Sequence, residues 1–161
     1  PYTVDQAYPF LEKQGVLFGF PDILFRPSDA YQRLTKRLEQ GEADLVLGLF
    51  PTDRPNKMDM VRYDLSGRVI GLEIKPRETD LIHTWVIAAW TPRFTEFLHS
   101  YLRVNREYFA SPEVSEPHVG TVIQAAIDNG IAVLAEVFSD GAVLDIGTQE
   151  DLQRAQAFYS R

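Results

Sequence analysis

Short, continuous apolar runs alternate with amphipathic segments along most of the sequence. Four runs have the length and composition of strands that are buried on both faces: 15–20, 43–50, 83–90 and 131–138. The segments between them repeat apolar residues at helical spacing. Two of these segments end at a glycine, and the segment after 83–90 begins at Thr91-Pro92, which predicts a helix start there. Such alternation predicts an α/β fold in which helices cover both faces of one sheet.

A predicted hairpin makes this sheet mixed. Residues 59–64 and 69–75 flank a Ser-Gly turn, which is typical of two antiparallel strands. The sequence has 161 residues, without an internal repeat or a low-complexity segment. We therefore expect a single domain over 1–161, with surface loops at 50–57 and 109–118.

The composition excludes several classes of protein. The net charge of -7 argues against the basic face that a nucleic-acid-binding protein needs. The absence of cysteine excludes disulfides, thiolate zinc sites and a cysteine nucleophile, and it fits a reducing compartment. No apolar run is long enough to span a membrane. We expect a cytoplasmic protein whose partners are neither nucleic acid nor membrane.

Two acidic residues occur near the ends of predicted strands. Asp22 follows VLFGFP, and Asp145 follows AVL. Ligands of open α/β sheets collect at the carboxyl ends of strands, and Mg²⁺ is bound by one or two carboxylates together with substrate phosphates. If both strands run parallel near the centre of the sheet, the two acids form a magnesium site. Alternatively, Asp22 caps a turn and Asp145 accepts hydrogen bonds from backbone amides near Thr148.

Lys75 and two tryptophans are further candidates. Lys75 ends an apolar strand just before Pro76, where its ammonium group either neutralises a phosphate or stays solvated. Trp85 and Trp90 are five residues apart in one predicted strand, so we expect them on opposite faces. One is then expected in the core, and the other either beside a pocket or in a second packing role.

Several nucleotide-binding and catalytic motifs are missing from the sequence. It contains no G-x-G-x-x-G, no Walker lysine loop and no G-x-S-x-G. Its three histidines are far apart and lack the spacing of metal ligands. The sequence therefore has no glycine-rich loop that could hold a triphosphate by itself.

Four stretches together resemble one family of enzymes. VLDIGTQEDLQRA, at 143–155, resembles the motif W-L-D-x-G-T-P-E-x-L of sugar-1-phosphate nucleotidylyltransferases. VLFGFPDILF, at 16–25, is similar to that family's G-D-N-x-F stretch, and DLSGRVIGLEIKP, at 64–76, to its D-x-x-G-x-V-x-x-x-E-K-P hairpin. The stretch 119–138 resembles the helix and strand that precede the last motif. The matches follow the family's order and cover most of the chain.

The resemblance implies a fold, a reaction and a set of site residues. The fold would be a Rossmann-like three-layer arrangement, a mixed sheet with helices on both faces. In the reaction, a sugar 1-phosphate attacks the α-phosphorus of a nucleoside triphosphate, and pyrophosphate leaves. Asp22, Lys75 and Asp145 fall on the catalytic positions, with both aspartates as Mg²⁺ ligands and Lys75 at the sugar phosphate. Glu73 and Trp90 are additional candidates for binding the substrate.

The sequence departs from the family pattern around the sugar. Ile74 occupies the position at which the family has a glutamate that contacts sugar hydroxyls. The acid of this sequence, Glu73, comes one position before it, so the Glu73 side chain should face the other side of the strand. Asp59 replaces the glycine that opens the family's hairpin, and Trp90 replaces the tyrosine of the family's G-L-Y strand. We therefore expect an altered sugar pocket.

The family's glycine-rich nucleotide loop also has no counterpart in the sequence. We therefore expect that the chain lacks the N-terminal nucleotide-binding section and does not catalyse nucleotidyl transfer by itself. A sheet edge left open in this way would accept a second copy of the chain, as in a homo-oligomer. Two alternatives stay open. One is a non-catalytic module that binds a sugar nucleotide or regulates a partner, and the other is an α/β interaction domain without a ligand.

Overall fold

The structure, a computed structural model, describes residues 1–111 and 117–158, so the predicted loop at 109–118 lies partly outside the described residues. The described strands are β1 (Val16–Gly19), β2 (Ile23–Arg26), β3 (Leu45–Pro51), β4 (Met60–Tyr63), β5 (Val69–Glu73), β6 (His83–Trp90), β7 (Val133–Val137) and β8 (Ala142–Asp145). The described α-helices are α1 (Tyr2–Asp5), α2 (Tyr8–Leu11), α3 (Ala30–Leu38), α4 (Pro92–Val104), α5 (Arg106–Phe109), α6 (Val119–Asp128) and α7 (Gln149–Phe158).

Six of these strands form one mixed sheet. The order is β5-β4-β6-β3-β7, and β1 pairs with β6 on the side away from β3. β3 and β7 run parallel, whereas β6 is antiparallel to β1, β3 and β4. β4 and β5 form the predicted antiparallel hairpin. The prediction of a mixed sheet is therefore confirmed.

Helices pack on both faces of the sheet. On one face, Phe94 of α4 and Ile123 of α6 belong to the same buried cluster as the apolar side chains of β3 and β6. On the other face, Leu34 of α3 packs into a second cluster with Val46 and Val86. The burial of each large apolar side chain stabilises the fold by about 1.5–3 kcal/mol. The expected three-layer arrangement is confirmed.

Two strands lie outside this sheet and correct one prediction. β2 and β8 pair with each other, antiparallel, in a separate two-stranded ribbon. The expectation that Asp22 and Asp145 end parallel strands near the sheet centre is therefore wrong. Pro21 has no backbone N–H to continue a ladder, so β1 ends at Gly19 and the chain turns before β2 begins at Ile23.

A β-bulge places Trp85 and Trp90 on the same face of β6. The register with β3 shifts between Gly48 and Leu49, which pair with Ile87 and Trp85, so β6 contains one extra residue. Both tryptophans belong to the same buried cluster and are 3% and 2% exposed. The expectation of opposite faces is wrong because a bulge reverses the alternation of side chains beyond it.

Two helix starts follow local signals in the sequence. α4 begins at Pro92 after the N-cap Thr91, as predicted. At the start of α7, the backbone N–H of Asp151 donates to Thr148 Oγ1 over 3.1 Å, and Thr148 Oγ1 donates to Asp151 Oδ2 over 2.7 Å. None of the helices in the described ranges combines the length and the apolar character needed to cross a membrane.

Candidate functional site

A cavity of about 360 Å³ lies between the β2–β8 ribbon, the β3–β4 connection, the end of β5 and the start of α6. Its ionisable side chains are Asp22, Lys57, Asp59, Lys75, His118 and Asp145. Phe20, Met58 and Trp85 supply part of the apolar wall. The three residues that the sequence analysis assigns to catalytic positions therefore line one cavity, although they come from three separate stretches of the chain.

The β2–β8 ribbon brings the backbones of Asp22 and Asp145 side by side. Ile23 pairs in register with Asp145, and the backbone N–H of Ile146 donates to the carbonyl oxygen of Asp22 over 2.8 Å. Both residues are exposed, and neither carboxylate makes a side-chain hydrogen bond within the described part of the chain. The alternative that these acids cap backbone amides is therefore not supported by the geometry.

The carboxylate oxygens of Asp22 and Asp145 are ligands that suit a hard cation. Two exposed carboxylates provide the oxygen ligands that Mg²⁺ uses, with the rest of its octahedron supplied by phosphate and water. Within residues 1–111 and 117–158, no group of three or more His, Cys, Asp or Glu side chains could hold a metal ion. A cation bound by Asp22 and Asp145 would therefore need further oxygen ligands from a substrate.

Lys75 reaches the cavity through an unusual backbone conformation. Its φ of 43° lies in the left-handed region, which costs energy for a residue with a Cβ. This turn follows the end of β5 and precedes Pro76, so the chain leaves the sheet where the lysine lines the cavity. Strained backbone conformations of this kind cluster at functional sites. The conformation of Lys75 therefore agrees with the phosphate-binding role that the resemblance implies.

Asp59 is an acidic residue of the cavity that the sequence analysis did not assign to the site. Burial raises the pKa of Asp59 above its ordinary value of 3.8, and the charges of His118 and Lys75 oppose that shift. Asp59 Oδ2 lies so close to Gly120 of α6 that an added Cβ would overlap it. The only sign in the sequence that Asp59 could belong to the site was its replacement of a glycine that the nucleotidylyltransferase family has at this position.

Glu73 lies outside the cavity. Its carboxylate accepts a hydrogen bond from Arg62, with 2.9 Å between Nη2 and Oε1. The next residue, Ile74, instead directs its side chain toward Gly120 of α6. Neighbouring residues in an extended segment face opposite sides, so Glu73 turns away from α6, which Ile74 approaches.

Trp90 also lies outside the cavity. It is 2% exposed, and its Nε1 donates to Thr95 Oγ1 over 2.9 Å. Trp85, which no motif indicated, lines the cavity instead. The two substrate-binding candidates, Glu73 and Trp90, are thus placed away from Asp22, Lys75 and Asp145.

Comparisons with known proteins agree with this architecture. No protein-family model and no curated protein matches the sequence significantly. A solved structure assigned as a glucose-1-phosphate thymidylyltransferase from Bacillus anthracis, in complex with sucrose, matches with a TM-score of 0.75 and 16% sequence identity. That match covers 97% of this chain and 58% of the other.

A second solved structure matches over a similar range. The inositol-1-phosphate CTP transferase from T. maritima has a TM-score of 0.68 and 20% sequence identity, and the match covers 93% of this chain and 56% of the transferase. The chain thus spans less than two thirds of either protein. It has the nucleotidyltransferase fold of these two structures over that part of their length, which confirms, at the level of the fold, the resemblance in the sequence.

Proposed function

We propose that the chain forms the sugar-phosphate-binding part of a nucleotidyltransferase that joins a nucleoside triphosphate to a sugar 1-phosphate and releases pyrophosphate. The observation that carries this proposal is the shared cavity of Asp22, Lys75 and Asp145. The names of the two structural neighbours, a thymidylyltransferase and a CTP transferase, support the same class of reaction.

In this proposal the protein positions and neutralises its substrates. Lys75 binds the phosphate of the sugar 1-phosphate as a point charge. An oxygen of that phosphate forms a bond to the α-phosphorus of the triphosphate, while the bond from the α-phosphorus to the leaving pyrophosphate oxygen breaks. Transfers of this type are accelerated mainly by orientation and by charge stabilisation, so no side chain needs to form a covalent bond.

Asp22 and Asp145 would hold Mg²⁺, which neutralises phosphate charge when it is bound. Without a cation, two carboxylates on the cavity wall repel a phosphate group. We therefore propose that these acids are magnesium ligands and that phosphate binding depends on the metal.

The isolated chain is proposed to bind but not to turn over its substrates. The chain spans 58% and 56% of its two structural neighbours, and its sequence has no glycine-rich phosphate loop. Lys75 alone is one charge, which is too little to organise a triphosphate for attack. The purified 161-residue chain, mixed with glucose 1-phosphate, dTTP or CTP and Mg²⁺, is expected to release no pyrophosphate. Turnover at an ordinary rate of about 1–10³ per second would contradict this expectation.

Calorimetric titration of the chain with glucose 1-phosphate and with inositol 1-phosphate, with and without MgCl₂, tests the binding site. At least one of the two ligands is expected to bind in the presence of Mg²⁺. Lys75→Met should weaken that binding by at least tenfold. Lys36→Met is the matched control, because Lys36 is an exposed lysine on α3 and does not line the cavity. Absence of binding by both ligands, or equal binding by Lys75→Met, would contradict the proposal.

One observation favours a second candidate, a non-catalytic module that binds a sugar nucleotide. Ile74 occupies the position at which the resembling family has a sugar-binding glutamate, and its side chain packs toward α6. A module of this kind should bind UDP-glucose more tightly than glucose 1-phosphate. Titration with both ligands therefore distinguishes the two functions.

A further inference from the structure

The backbone of Lys75 has a conformation that local preferences oppose. Its φ of 43° lies in the left-handed region, which a residue with a Cβ rarely adopts. Pro76 restricts Lys75 as well, because a proline favours an extended conformation with negative φ in the residue before it. Such a conformation persists only where the surrounding structure fixes it. The groups that hold this turn therefore also set where the Lys75 side chain enters the cavity.

The Asp59 carboxylate lies beside this turn. The antiparallel register of β4 with β5, continued by one residue, places Asp59 opposite Ile74, which precedes Lys75. A Cβ added at Gly120 would overlap Asp59 Oδ2 and lie 2.8 Å from Ile74 Cδ1, so these two atoms are close to each other. Burial raises the pKa of Asp59, and a hydrogen bond from the backbone N–H of Lys75 is one of the effects that oppose this rise.

The protein encloses the Asp59 carboxylate on several sides. Asp59 Oδ1 is buried, as is Trp85 Nε1, and the indole N–H of Trp85 is a second donor that approaches the carboxylate. Oδ2 packs against Gly120 of α6, and the backbone carbonyl of Asp59 accepts a hydrogen bond from Thr84 Oγ1 over 2.9 Å. Asp59 is thus fixed within the cavity wall and acts on a ligand only through its neighbours.

A carboxylate at this position is suited to anchor the turn. An ionised carboxylate is a strong acceptor for a backbone N–H, and a bond to the N–H of Lys75 fixes the peptide group between Ile74 and Lys75. The orientation of that peptide group determines the direction in which the lysine side chain leaves the backbone. The glycine that the nucleotidylyltransferase family has at position 59 offers no side-chain acceptor, so this anchor is a feature of the present chain.

We propose that Asp59 is a positioning residue whose carboxylate accepts a hydrogen bond from the backbone N–H of Lys75 and thereby directs the Lys75 ammonium group toward the phosphate of the ligand. This inference rests on the proposed function, in which Lys75 binds that phosphate. Asp59 itself does not contact the substrate. Trp85 and Gly120 hold the carboxylate in place from its two sides.

Two variants of nearly equal shape separate this role from simple packing. Asp59→Asn keeps an acceptor oxygen, whereas Asp59→Leu fills the same space without one. In NMR spectra of the chain without ligand, Asp59→Leu should shift the Lys75 amide proton upfield and speed its exchange with solvent by about tenfold or more, because a hydrogen bond to a charged group is lost. Asp59→Asn should keep most of the protection. Asp140→Leu, at an exposed acid outside the cavity, is the matched control and should leave the Lys75 amide unchanged.

Calorimetric titration with glucose 1-phosphate or inositol 1-phosphate and Mg²⁺ measures the consequence for the ligand. Asp59→Leu is expected to weaken binding by about 3- to 30-fold, and Asp59→Asn by less than about threefold. Gly120→Ala displaces the carboxylate without changing it, so it should weaken binding as Asp59→Leu does. Leu38→Ala controls for a general loss of stability, because Leu38 packs on the other face of the sheet, and it should bind as the wild type does.

The outcomes separate this inference from the proposed function. An unchanged Lys75 amide in Asp59→Leu, or binding by Asp59→Leu as tight as that of the wild type, would overturn the positioning role and leave the function standing. Failure of the wild type to bind either sugar phosphate would overturn both, whatever the amide shows. If Asp59→Leu does not fold, Gly120→Ala takes its place in both measurements.

Discussion

The backbone N–H of Ile146 donates to the carbonyl oxygen of Asp22 over 2.8 Å. This bond joins the turn before β2 to the residue that follows β8, and it continues the ladder in which Ile23 pairs with Asp145. The positions of the two acids are thus set by backbone bonds and not by contacts of their own side chains. Substitutions of the carboxylates should therefore affect ligands far more than they affect the fold.

Replacement of Asp145 by Asn is expected to weaken the Mg²⁺-dependent binding of glucose 1-phosphate by at least tenfold. In a complete nucleotidyltransferase, Asp145→Ala should lower turnover by orders of magnitude. The free energy of unfolding should change by less than about 0.5 kcal/mol, because the side chain is exposed. Calorimetry and urea unfolding measure the two effects, with Asp140→Asn as the control. A variant that binds normally, or one that unfolds, would contradict the proposed role.

The bonds at the start of α7 predict a local effect on stability. Thr148→Ala removes the acceptor for the backbone N–H of Asp151, and such caps contribute about 0.5–2 kcal/mol. Urea unfolding should show a loss in that range, whereas Gln149→Ala, at the next and exposed position, should change stability by less than about 0.5 kcal/mol. Equal effects of the two substitutions would show that the cap contributes nothing specific.

The raised pKa of Asp59 predicts a pH dependence of stability. The folded chain binds this proton more tightly than the unfolded chain does, so the contribution of Asp59 is full below its ordinary pKa of 3.8. It is lost as the pH rises through the higher pKa of the folded state. Asp59→Asn removes this titration, so the stability of the variant relative to wild type should increase from pH 3 to pH 7. A difference that stays constant in urea unfolding across that range would count against a raised pKa.

Gly48 of β3 leaves room for the Ile87 side chain next to the bulge in β6. A Cβ at Gly48 would lie 2.5 Å from Ile87 Cγ1, so Gly48→Ala should overpack the core and cost about 1–3 kcal/mol. Gly15→Ala is the control, because the nearest atom to its added Cβ is the carbonyl oxygen of Trp90 at 3.9 Å. Thermal unfolding should separate the two variants clearly. Similar unfolding midpoints of the two variants would mean that the Ile87 side chain moves aside without strain.

The sequence by itself determined the elements whose signals are local. The apolar run at 83–90 and the Thr91-Pro92 start predicted β6 and α4 at the positions that the structure shows. The alternation of strands and helices likewise predicted a sheet covered on both faces. Periodicity, caps and proline act within a few residues, so they can be detected without knowledge of the fold.

Only the tertiary structure decided which strands pair and how the cavity is lined. The sequence could not show that β2 leaves the main sheet for β8, because that pairing joins segments more than a hundred residues apart. It could not show the bulge that brings Trp85 to the same face as Trp90, because register depends on the partner strand. Asp59 remained an isolated acid until α6 packed Gly120 against it. Chemistry at a site of this kind depends on distances between remote residues, and folding alone sets those distances.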